Sequence, residues 1–262
     1  MAYKKVAVIS GASRGIGLEA AKQLEQAGYI VYHLSRQHGD GLFYHIPCDI
    51  SNEEEVRLAF THINDIENRL DLLVCNAGFG ISGSIEDTEI KQAEQQFAVN
   101  LFGACSCIKY ALPALRKNKG RIIAVSSLAG IIPLPFQSYY SASKAALNAL
   151  ILALALEAQP FGVSVTAALP GDAKSSFSAA RQKISNVDSV YTKRATHSLN
   201  VMEHDEQNGM ETIYVAKKIA VLATKKHVRL FYTIGIKYQL FYLLQKLLPL
   251  SLTRLIVKKL YA

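Results

Sequence analysis

The sequence contains only four cysteines, and their spacing is typical of neither a zinc site nor a disulfide framework. They are Cys48, Cys75, Cys105 and Cys107. Two of them lie in apolar runs, so we predict reduced, buried thiols. Internal repeats and low-complexity segments are absent as well, and 262 residues therefore predict one large domain with a substantial core.

Long hydrophobic runs are absent too. The longest apolar stretch, 145–156, has 12 residues and contains Asn148, so it is too short to span a bilayer and is typical of a buried helix. Near the N-terminus, only Lys4 and Lys5 precede a five-residue apolar run that leads straight into a glycine-rich turn, and we expect no signal peptide. These features and the reduced cysteines predict a cytoplasmic location.

Acidic residues are missing from the last 38 positions, 225–262, which hold eight lysines and arginines. The chain has 29 basic and 21 acidic residues, so the first 224 residues carry 21 of each and are formally neutral. The whole net charge of +8 therefore lies in the C-terminal tail. A neutral main domain argues against a broad nucleic-acid surface, and we expect no nucleic-acid partner.

Short apolar runs alternate with longer helical patterns along the chain. Strands are predicted at 6–9, 30–34, 43–47, 72–75, 121–126, 163–168 and 230–233, and helices at 15–27, 53–68, 93–117, 140–159 and 211–223. The strands are apolar throughout, as in parallel sheets that are covered on both faces. The pattern predicts an α/β fold, a doubly wound Rossmann-like parallel sheet with helices on both faces, over residues 1–235.

Residues 172–210 are polar and irregular, and they follow a predicted strand end. Open α/β sheets bind ligands beyond the carboxyl ends of their strands. This segment is therefore predicted to be a substrate lid.

A glycine-rich segment with the sequence SGASRGIG lies at 10–17, between the first predicted strand and the first predicted helix. Gly15, Gly17 and Ala20 also satisfy the looser G-x-G-x-x-A dinucleotide fingerprint. Glycines let backbone N–H groups approach a pyrophosphate at the positive N-terminus of a helix. A glycine cluster alone could also be only a tight turn, but the strand before it and the helix after it favour a nucleotide site. We predict a dinucleotide site that includes Gly11, Ser13, Arg14, Gly15, Ile16 and Gly17.

Arg36 follows the second predicted strand, 19 residues after Gly17. NAD-binding proteins of this type place an acid at about this distance to bind the ribose 2′-hydroxyl. An arginine instead pairs with the 2′-phosphate of NADP, and Arg14 can supply a second cation. Two solvated surface arginines are the alternative. Asp40 lies four residues beyond Arg36, too far along the loop to act as the ribose acid.

Tyr140 and Lys144 are separated by four residues and so share one face of a predicted helix. A cation beside a phenol lowers the pKa of the phenol, which suits a general acid–base near neutral pH. Such pairs also arise by chance on exposed helices. Ser127 lies 13 residues upstream, just after an apolar strand, where a serine is often only a helix cap or turn residue.

In their order and spacing these motifs resemble the short-chain dehydrogenase/reductase family over about residues 6–233. Ser10 stands where threonine is usual in that family. Further matches are Cys48-Asp49-Ile50, Asn76-Ala77-Gly78, Asn100, Ser126-Ser127 and Pro170-Gly171. The resemblance implies an oxidoreductase that transfers hydride between a nicotinamide cofactor and a carbonyl or alcohol carbon of a small molecule. Arg36 and Arg14 make NADP(H) the expected cofactor, and we expect no metal.

The resemblance implies the catalytic set Asn100, Ser127, Tyr140 and Lys144. Tyr140 would exchange a proton with the substrate oxygen, and Ser127 would hydrogen-bond that oxygen. Lys144 would lower the pKa of Tyr140, and Tyr140 and Lys144 would both contact the cofactor, Lys144 at the nicotinamide ribose. Asn100 would kink its helix and hold a water that relays protons to Lys144.

Further cofactor contacts are implied at three loops, one of which holds Pro170 and Gly171. Asp49 would contact the adenine amino group, with the Ile50 backbone alongside. The loop beside the cofactor would be shaped by Asn76, Ala77 and Gly78.

The loop after Pro170-Gly171 departs from the family pattern. The family usually has an apolar residue followed by threonine, whereas this chain has Asp172, Ala173, Lys174 and Ser175. Ser175 is expected to replace the threonine hydroxyl near the cofactor.

Two other functions stay open. One is an NAD-dependent hydroxysteroid or alcohol dehydrogenase, against which Arg36 weighs. The other is a non-catalytic dinucleotide sensor, against which Ser127 weighs because cofactor binding alone does not need it. Residues 133–136 and the aromatic-rich tail indicate an apolar pocket, and analogy favours a hydrophobic carbonyl, with a sugar or acyl thioester as alternatives.

The predicted helix after Tyr140 is apolar on all sides. It carries Leu147, Leu150, Ile151, Leu154 and Ala155. Such a helix needs more cover than one sheet face provides, so we expect a homodimer or homotetramer, with burial inside the chain as the alternative.

The tail at 236–262 is predicted to form two basic amphipathic helices. Leu240, Leu243, Leu244, Leu247 and Leu248 form one apolar stripe, and Leu252, Leu255, Ile256 and Leu260 form another. Pro249 would end the first helix and Ser251 would cap the second. The stripe either packs on the protein or a partner subunit near the substrate entrance, or attaches peripherally to an anionic membrane.

Overall fold

A seven-stranded parallel sheet forms the centre of the computed structural model, which describes residues 4–39, 44–184 and 186–261. Its strands are β1 (Val6–Ser10), β2 (Ile30–Ser35), β3 (Tyr44–Pro47), β4 (Leu72–Cys75), β5 (Arg121–Val125), β6 (Ser164–Pro170) and β7 (Phe231–Ile234). The order across the sheet is β7-β6-β5-β4-β1-β2-β3, and all neighbours pair in parallel. This confirms the predicted doubly wound sheet. Phe43, the predicted start of the third strand, lies outside the described residues.

Helices cover both faces of the sheet. They are α1 (Gly15–Gln26), α2 (Glu53–Glu67), α3 (Ile90–Phe97), α4 (Ala104–Asn118), α5 (Ser138–Ala158), α6 (Ser176–Ala179), α7 (Thr192–Gln207), α8 (Thr212–Thr224), α9 (Ile236–Leu247) and α10 (Leu250–Tyr261). One core lies between the sheet and α2, α4 and α5, and the other between the sheet and α1 and α8. The strand order reverses between β1 and β4, and ligands bind at such a switch point, at the carboxyl ends of the strands.

Local sequence signals explain where α2 begins and ends. The Asn52 side chain accepts hydrogen bonds from the backbone N–H groups of Glu54 and Glu55, and three glutamates in the first turn favour the positive helix terminus. Asn68 adopts a left-handed conformation that ends the helix.

Two helical stretches, Ile90–Asn118 and Ser138–Phe161, are long and apolar enough to cross a membrane by length and composition alone. Both pack against the sheet in this fold: Cys107 and Leu115 of the first stretch and Leu147 and Ile151 of the second are fully buried in one core. The predicted buried helix at 145–156 is therefore found, as the middle of the longer α5.

The segment 172–210 is not irregular, contrary to the prediction, because it contains the 16-residue helix α7. Only Ser198 and Met202 of α7 are buried, which leaves the helix without an apolar stripe. The segment does lie over the predicted site, since residues of α6, of the chain after it and of α7 line the same cavity as the glycine-rich loop.

The C-terminal tail forms two helices, as predicted. α9 packs against β7, and α10 packs against α7. α9 ends at Leu247, two residues before Pro249. The predicted cap at Ser251 is wrong, because α10 begins at Leu250 and places Ser251 within its first turn.

Candidate active site

A cavity of about 830 Å³ lies at the carboxyl ends of the central strands. Its wall contains the predicted site residues Gly11, Ser13, Arg14, Gly15, Ile16, Gly17, Arg36, Asp49, Ile50, Asn76, Ala77, Gly78, Ser127, Tyr140, Lys144, Pro170, Gly171 and Ser175. Asn100 is the one predicted site residue that does not line it. Residues that are 164 positions apart in sequence therefore meet in one place, because parallel strands deliver their loops to one edge of the sheet.

The glycine-rich loop between β1 and α1 has the conformation that its sequence predicts. Gly11 and Gly15 have positive φ angles of 70° and 59°, which side chains rarely permit. A Cβ atom on Gly17 would overlap the carbonyl oxygen of Gly11 and the side-chain amide of Asn76. Glycine at these positions lets the loop close tightly at the start of α1, on the wall of the cavity.

Ser10 joins the glycine-rich loop to the loop after β4. Its hydroxyl accepts hydrogen bonds from the backbone N–H groups of Asn76, at 3.1 Å, and Ala77, at 3.2 Å. The Asn76 amide donates to the carbonyl oxygens of Ser10 and Gly11, at 3.1 and 2.9 Å. Serine thus provides the hydroxyl that the usual threonine would provide.

Tyr140 lines the cavity and is itself buried. It is hydrogen-bonded to Ser127, and its ring centroid is 5.5 Å from that of Phe177. Burial raises the pKa of Tyr140 to about 12, although the hydrogen bond with Ser127 and the positive charge of Arg181 oppose the rise. The phenol is therefore protonated near neutral pH and is able to donate its proton.

Lys144 does not have the effect on Tyr140 that we expected. Its ammonium group donates to the carbonyl oxygen of Val125 at 3.0 Å and lies 5.9 Å from the centroid of the Tyr140 ring. Burial lowers the pKa of Lys144 to about 8. The expected lowering of the tyrosine pKa is not found, because desolvation of the phenol outweighs the favourable charges around it.

Asn100 lies behind the cavity wall, in the π-helical turn Ala98–Gly103 between α3 and α4. Its amide nitrogen donates to the carbonyl oxygen of Phe79 and to the Ser143 hydroxyl, and its side-chain oxygen accepts from the Phe79 N–H. We expected a kink in the helix at Asn100, and the π-helical turn is an irregularity of the helix at that position. The proton relay through a water stays a prediction.

The cavity wall includes the two arginines from which we predicted a preference for NADP, Arg14 before α1 and Arg36 after β2. Arg36 and Arg14 are both exposed, and the guanidinium of Arg36 lies 3.9 Å from the carboxylate of Asp49. Burial tends to raise the pKa of Asp49, but hydrogen bonds from Ser51 and the charge of Arg36 lower it overall. The rim thus holds two cations beside one ionised acid.

Sequence reasoning missed the buried ion pair between Arg181 and Glu206, both of which line the cavity. The Arg181 side chain is fully buried and lies over the ring of Phe177. Its Nε and Nη1 atoms have no hydrogen-bond partner among the residues that the structure describes. The partners are 25 positions apart, and no motif marks either of them.

The two departures after Gly171 have structural partners. Asp172 accepts a hydrogen bond from the Tyr238 hydroxyl of α9, and Lys174 pairs with Glu211 at 2.8 Å. A Cβ atom on Gly171 would overlap the Tyr238 ring, so the ring lies directly on the glycine. Ser175 caps the short helix α6 by accepting from the Phe177 N–H.

The residues present fit a nicotinamide dinucleotide. The turn before α1 has glycines at the two positions with positive φ, and such a turn at a helix N-terminus suits the pyrophosphate. The protonated tyrosine lines the same cavity. The residues that would hold the nucleotide are those of the glycine-rich loop, the β2 rim and the loops after β4 and β6.

Sequence comparison agrees with this geometry. The profile described as short chain dehydrogenase matches residues 5–186. A probable short-chain type dehydrogenase/reductase, VdlC, from Helicobacter pylori is 37% identical over 255 residues and covers 94% of each chain. The 3-ketodihydrosphingosine reductase of Bacteroides thetaiotaomicron is 33% identical, over 85% of each chain.

A further relative and a solved structure extend the comparison. The NADPH-dependent 1-acyldihydroxyacetone phosphate reductase of Saccharomyces cerevisiae is 39% identical over 64% of this chain and 61% of its own. Among solved structures, a short-chain dehydrogenase from Streptomyces avermitilis has a TM-score of 0.85 at 24% identity, over 99% of this chain and 97% of its own, and so shares the fold. The chain belongs to the short-chain dehydrogenase/reductase family and is an NAD(P)-dependent oxidoreductase.

Proposed function

We propose that this protein is an NADPH-dependent reductase of lipid-like carbonyl compounds. The observation that carries the proposal is the composition of the cavity wall. One end has the glycine-rich loop and two arginines, and Tyr140 lies within. The wall contributed by the C-terminal helices is largely apolar, with Phe241, Leu244, Leu248, Ile256, Val257 and Leu260.

The preference for NADPH rests on charge. Arg36 and Arg14 are exposed at the rim and can pair with a 2′-phosphate, whereas an NAD-specific site needs an acid for the ribose hydroxyls. The NADPH-dependent yeast relative supports the same preference.

In the reductive direction, Tyr140 would act in its protonated form. When bound, the nicotinamide supplies the hydride to the carbonyl carbon. The Tyr140 hydroxyl, protonated near neutral pH because its pKa is about 12, donates the proton to the carbonyl oxygen, which becomes the alcohol. Ser127, hydrogen-bonded to Tyr140, orients that oxygen. Lys144, whose ammonium group donates to the Val125 carbonyl oxygen, lines the same cavity as Tyr140 and would contact the cofactor there.

The substrate class rests on the apolar wall and on two relatives. The names of the Bacteroides and yeast proteins give carbonyl substrates with long hydrocarbon chains, and an apolar wall stabilises such chains by burial from water. A sensor that only binds the dinucleotide would need neither Ser127 nor a buried Tyr140, so catalysis is the better explanation.

A carbonyl panel tests the proposal. Purified protein is given NADPH or NADH with 3-ketodihydrosphingosine, a 1-acyldihydroxyacetone phosphate, a steroid ketone, a sugar aldehyde and a short water-soluble ketone. We expect the highest kcat/KM with NADPH and a long-chain ketone. Preference for the sugar aldehyde, or equal rates with NADH, would contradict the proposal.

A further inference from the structure

Helix α9 is apolar on two of its sides. One side lines the cavity, with Tyr238, Phe241 and Leu244, and Leu248 just after the helix lines it too. The other side carries Ile236, Leu240, Leu243 and Leu247, whose spacing of four, three and four residues makes a single stripe. All four are exposed, Ile236 at 84% and Leu247 at 72%. Only part of the predicted leucine stripe therefore packs on the protein.

Helix α10 adds the exposed apolar side chains Leu250, Leu252 and Leu255. We call these seven residues of α9 and α10 the C-terminal surface. The described chain leaves each of them at least 41% exposed, and exposed apolar side chains grouped on two neighbouring helices mark an interaction site in a folded protein.

Positive charge accompanies the apolar side chains. α9 and α10 carry Lys237, Lys246, Arg254, Lys258 and Lys259, all exposed. The last acidic residue in the sequence is Glu211, so neither helix contains an opposite charge. The ammonium group of Lys246 lies 4.4 Å from the centroid of the Tyr242 ring, a cation–π contact at an exposed site.

This charge distribution indicates whether the C-terminal surface binds a second copy of the chain or an anionic lipid bilayer. In a symmetric dimer the same patch meets itself, so five cations of one copy would face five of the other with no acid on either helix pair to compensate. An anionic lipid bilayer satisfies both features, because it takes up leucine side chains and attracts lysine and arginine. We propose that the C-terminal surface docks this protein onto an anionic bilayer, as a peripheral protein at the cytoplasmic face.

The docking would also place the cavity at the bilayer. Phe241, Leu244, Ile256 and Leu260 line the cavity and are themselves solvent-accessible, Leu260 at 52%. The two helices therefore form both the docking surface and one wall of the cavity. Resting on the proposed function, this predicts that a long-chain ketone passes from the bilayer to Tyr140 along α9 and α10.

Vesicle co-sedimentation of the full chain tests the docking without using activity. The vesicles contain phosphatidylcholine alone, or phosphatidylcholine with phosphatidylglycerol, at low and high salt. We expect binding to the anionic vesicles, weaker binding at high salt, and little binding to phosphatidylcholine. Replacing Lys246→Gln and Lys258→Gln together should weaken binding roughly 25-fold, about five-fold for each lost charge. The matched control Lys91→Gln with Lys117→Gln removes two exposed lysines elsewhere and should bind like the wild type.

The apolar contribution has its own variants. Leu243→Ser with Leu247→Ser should lower binding, whereas Val187→Ser with Val190→Ser, at two even more exposed positions outside the two helices, should not. Failure of the wild type to bind anionic vesicles overturns the proposal, as does equal binding to phosphatidylcholine alone. A dimer that the serine variants dissociate, without vesicle binding, would identify a second copy as the occupant instead.

Activity separates this inference from the proposed function. Anionic vesicles should raise the reduction rate of a vesicle-embedded long-chain ketone and leave that of a soluble ketone unchanged. Reduction of the soluble ketone without vesicle binding overturns the docking alone. Vesicle binding without reduction of any carbonyl overturns the proposed function alone.

Discussion

The Tyr238 hydroxyl donates a 2.8 Å hydrogen bond to the carboxylate of Asp172. This contact ties helix α9 to the loop after β6, at the residue that departs from the family pattern. Both side chains are largely buried, and burial raises the pKa of each. At the far end of the tail, the Tyr261 hydroxyl donates to Asp205 of α7 at 3.0 Å. Two tyrosine–aspartate bonds therefore hold the C-terminal helices over the cavity.

Tyr238→Phe should loosen α9 while keeping its packing on Gly171. The variant leaves the buried Asp172 without its donor, which should lower the free energy of unfolding by about 1–3 kcal/mol. Hydrogen exchange in 236–261 should become faster. Tyr242→Phe is the matched control on the same helix, because its hydroxyl has no hydrogen bond within the described ranges. Equal exchange and stability in the two variants would refute the role of this bond.

Arg36→Asp should reverse the preference between cofactors. Loss of a charge-assisted bond to the 2′-phosphate costs about 1.5–3 kcal/mol, so NADPH affinity should fall about 10- to 150-fold and NADH affinity should not. Titration calorimetry measures both Kd values. Lys91→Asp changes an exposed lysine away from the cavity and should alter neither. Equal affinities of the wild type for NADPH and NADH would contradict the NADP assignment.

Arg181 and Glu206 should act on Tyr140 with opposite signs. The arginine charge lowers the pKa of Tyr140 and the glutamate charge raises it. Alcohol oxidation needs the phenolate, so its rate rises with pH up to the tyrosine pKa. Arg181→Met should shift this profile to higher pH, and Glu206→Gln should shift it to lower pH. If the two variants shift the profile the same way, or only change the folded fraction, the pair is structural.

The exposed side of α5 should form an oligomer interface. Leu147, Ile151 and Leu154 of this helix are buried within the chain, but Leu152 and Leu156 are exposed on its outer side. We expect the wild type to sediment as a homodimer or homotetramer at micromolar concentration. Leu156→Glu should shift it toward monomer, and the control Val187→Glu should not. A monomeric wild type would rule the interface out.

The strands and the cofactor loop could be predicted because their signals are local. Strands buried on both faces are apolar throughout, and a glycine such as Gly11 adopts a backbone conformation that other residues avoid. Helix α7 could not be predicted, because its buried positions include Ser198 and it has no apolar stripe.

The electrostatics of the site depend on contacts that are distant in sequence. Arg181 meets Glu206, 25 residues later, and Tyr140 lies near both. The i, i+4 spacing of Tyr140 and Lys144 correctly placed both on the cavity wall. It could not show that the Val125 carbonyl holds the ammonium group, or that burial dominates the tyrosine pKa.

Tyr140→Phe tests the assignment of the general acid most directly. The substitution removes one hydroxyl from a buried ring, so NADPH binding should be unchanged while carbonyl reduction falls by about 10²- to 10⁴-fold. Tyr139→Phe, its neighbour outside the cavity wall, should keep wild-type turnover, and Lys144→Ala should impair both binding and turnover. Turnover and NADPH Kd are measured on the same preparations with the best substrate of the panel. Loss of turnover with an intact Kd is the predicted result, and wild-type turnover by Tyr140→Phe would contradict it.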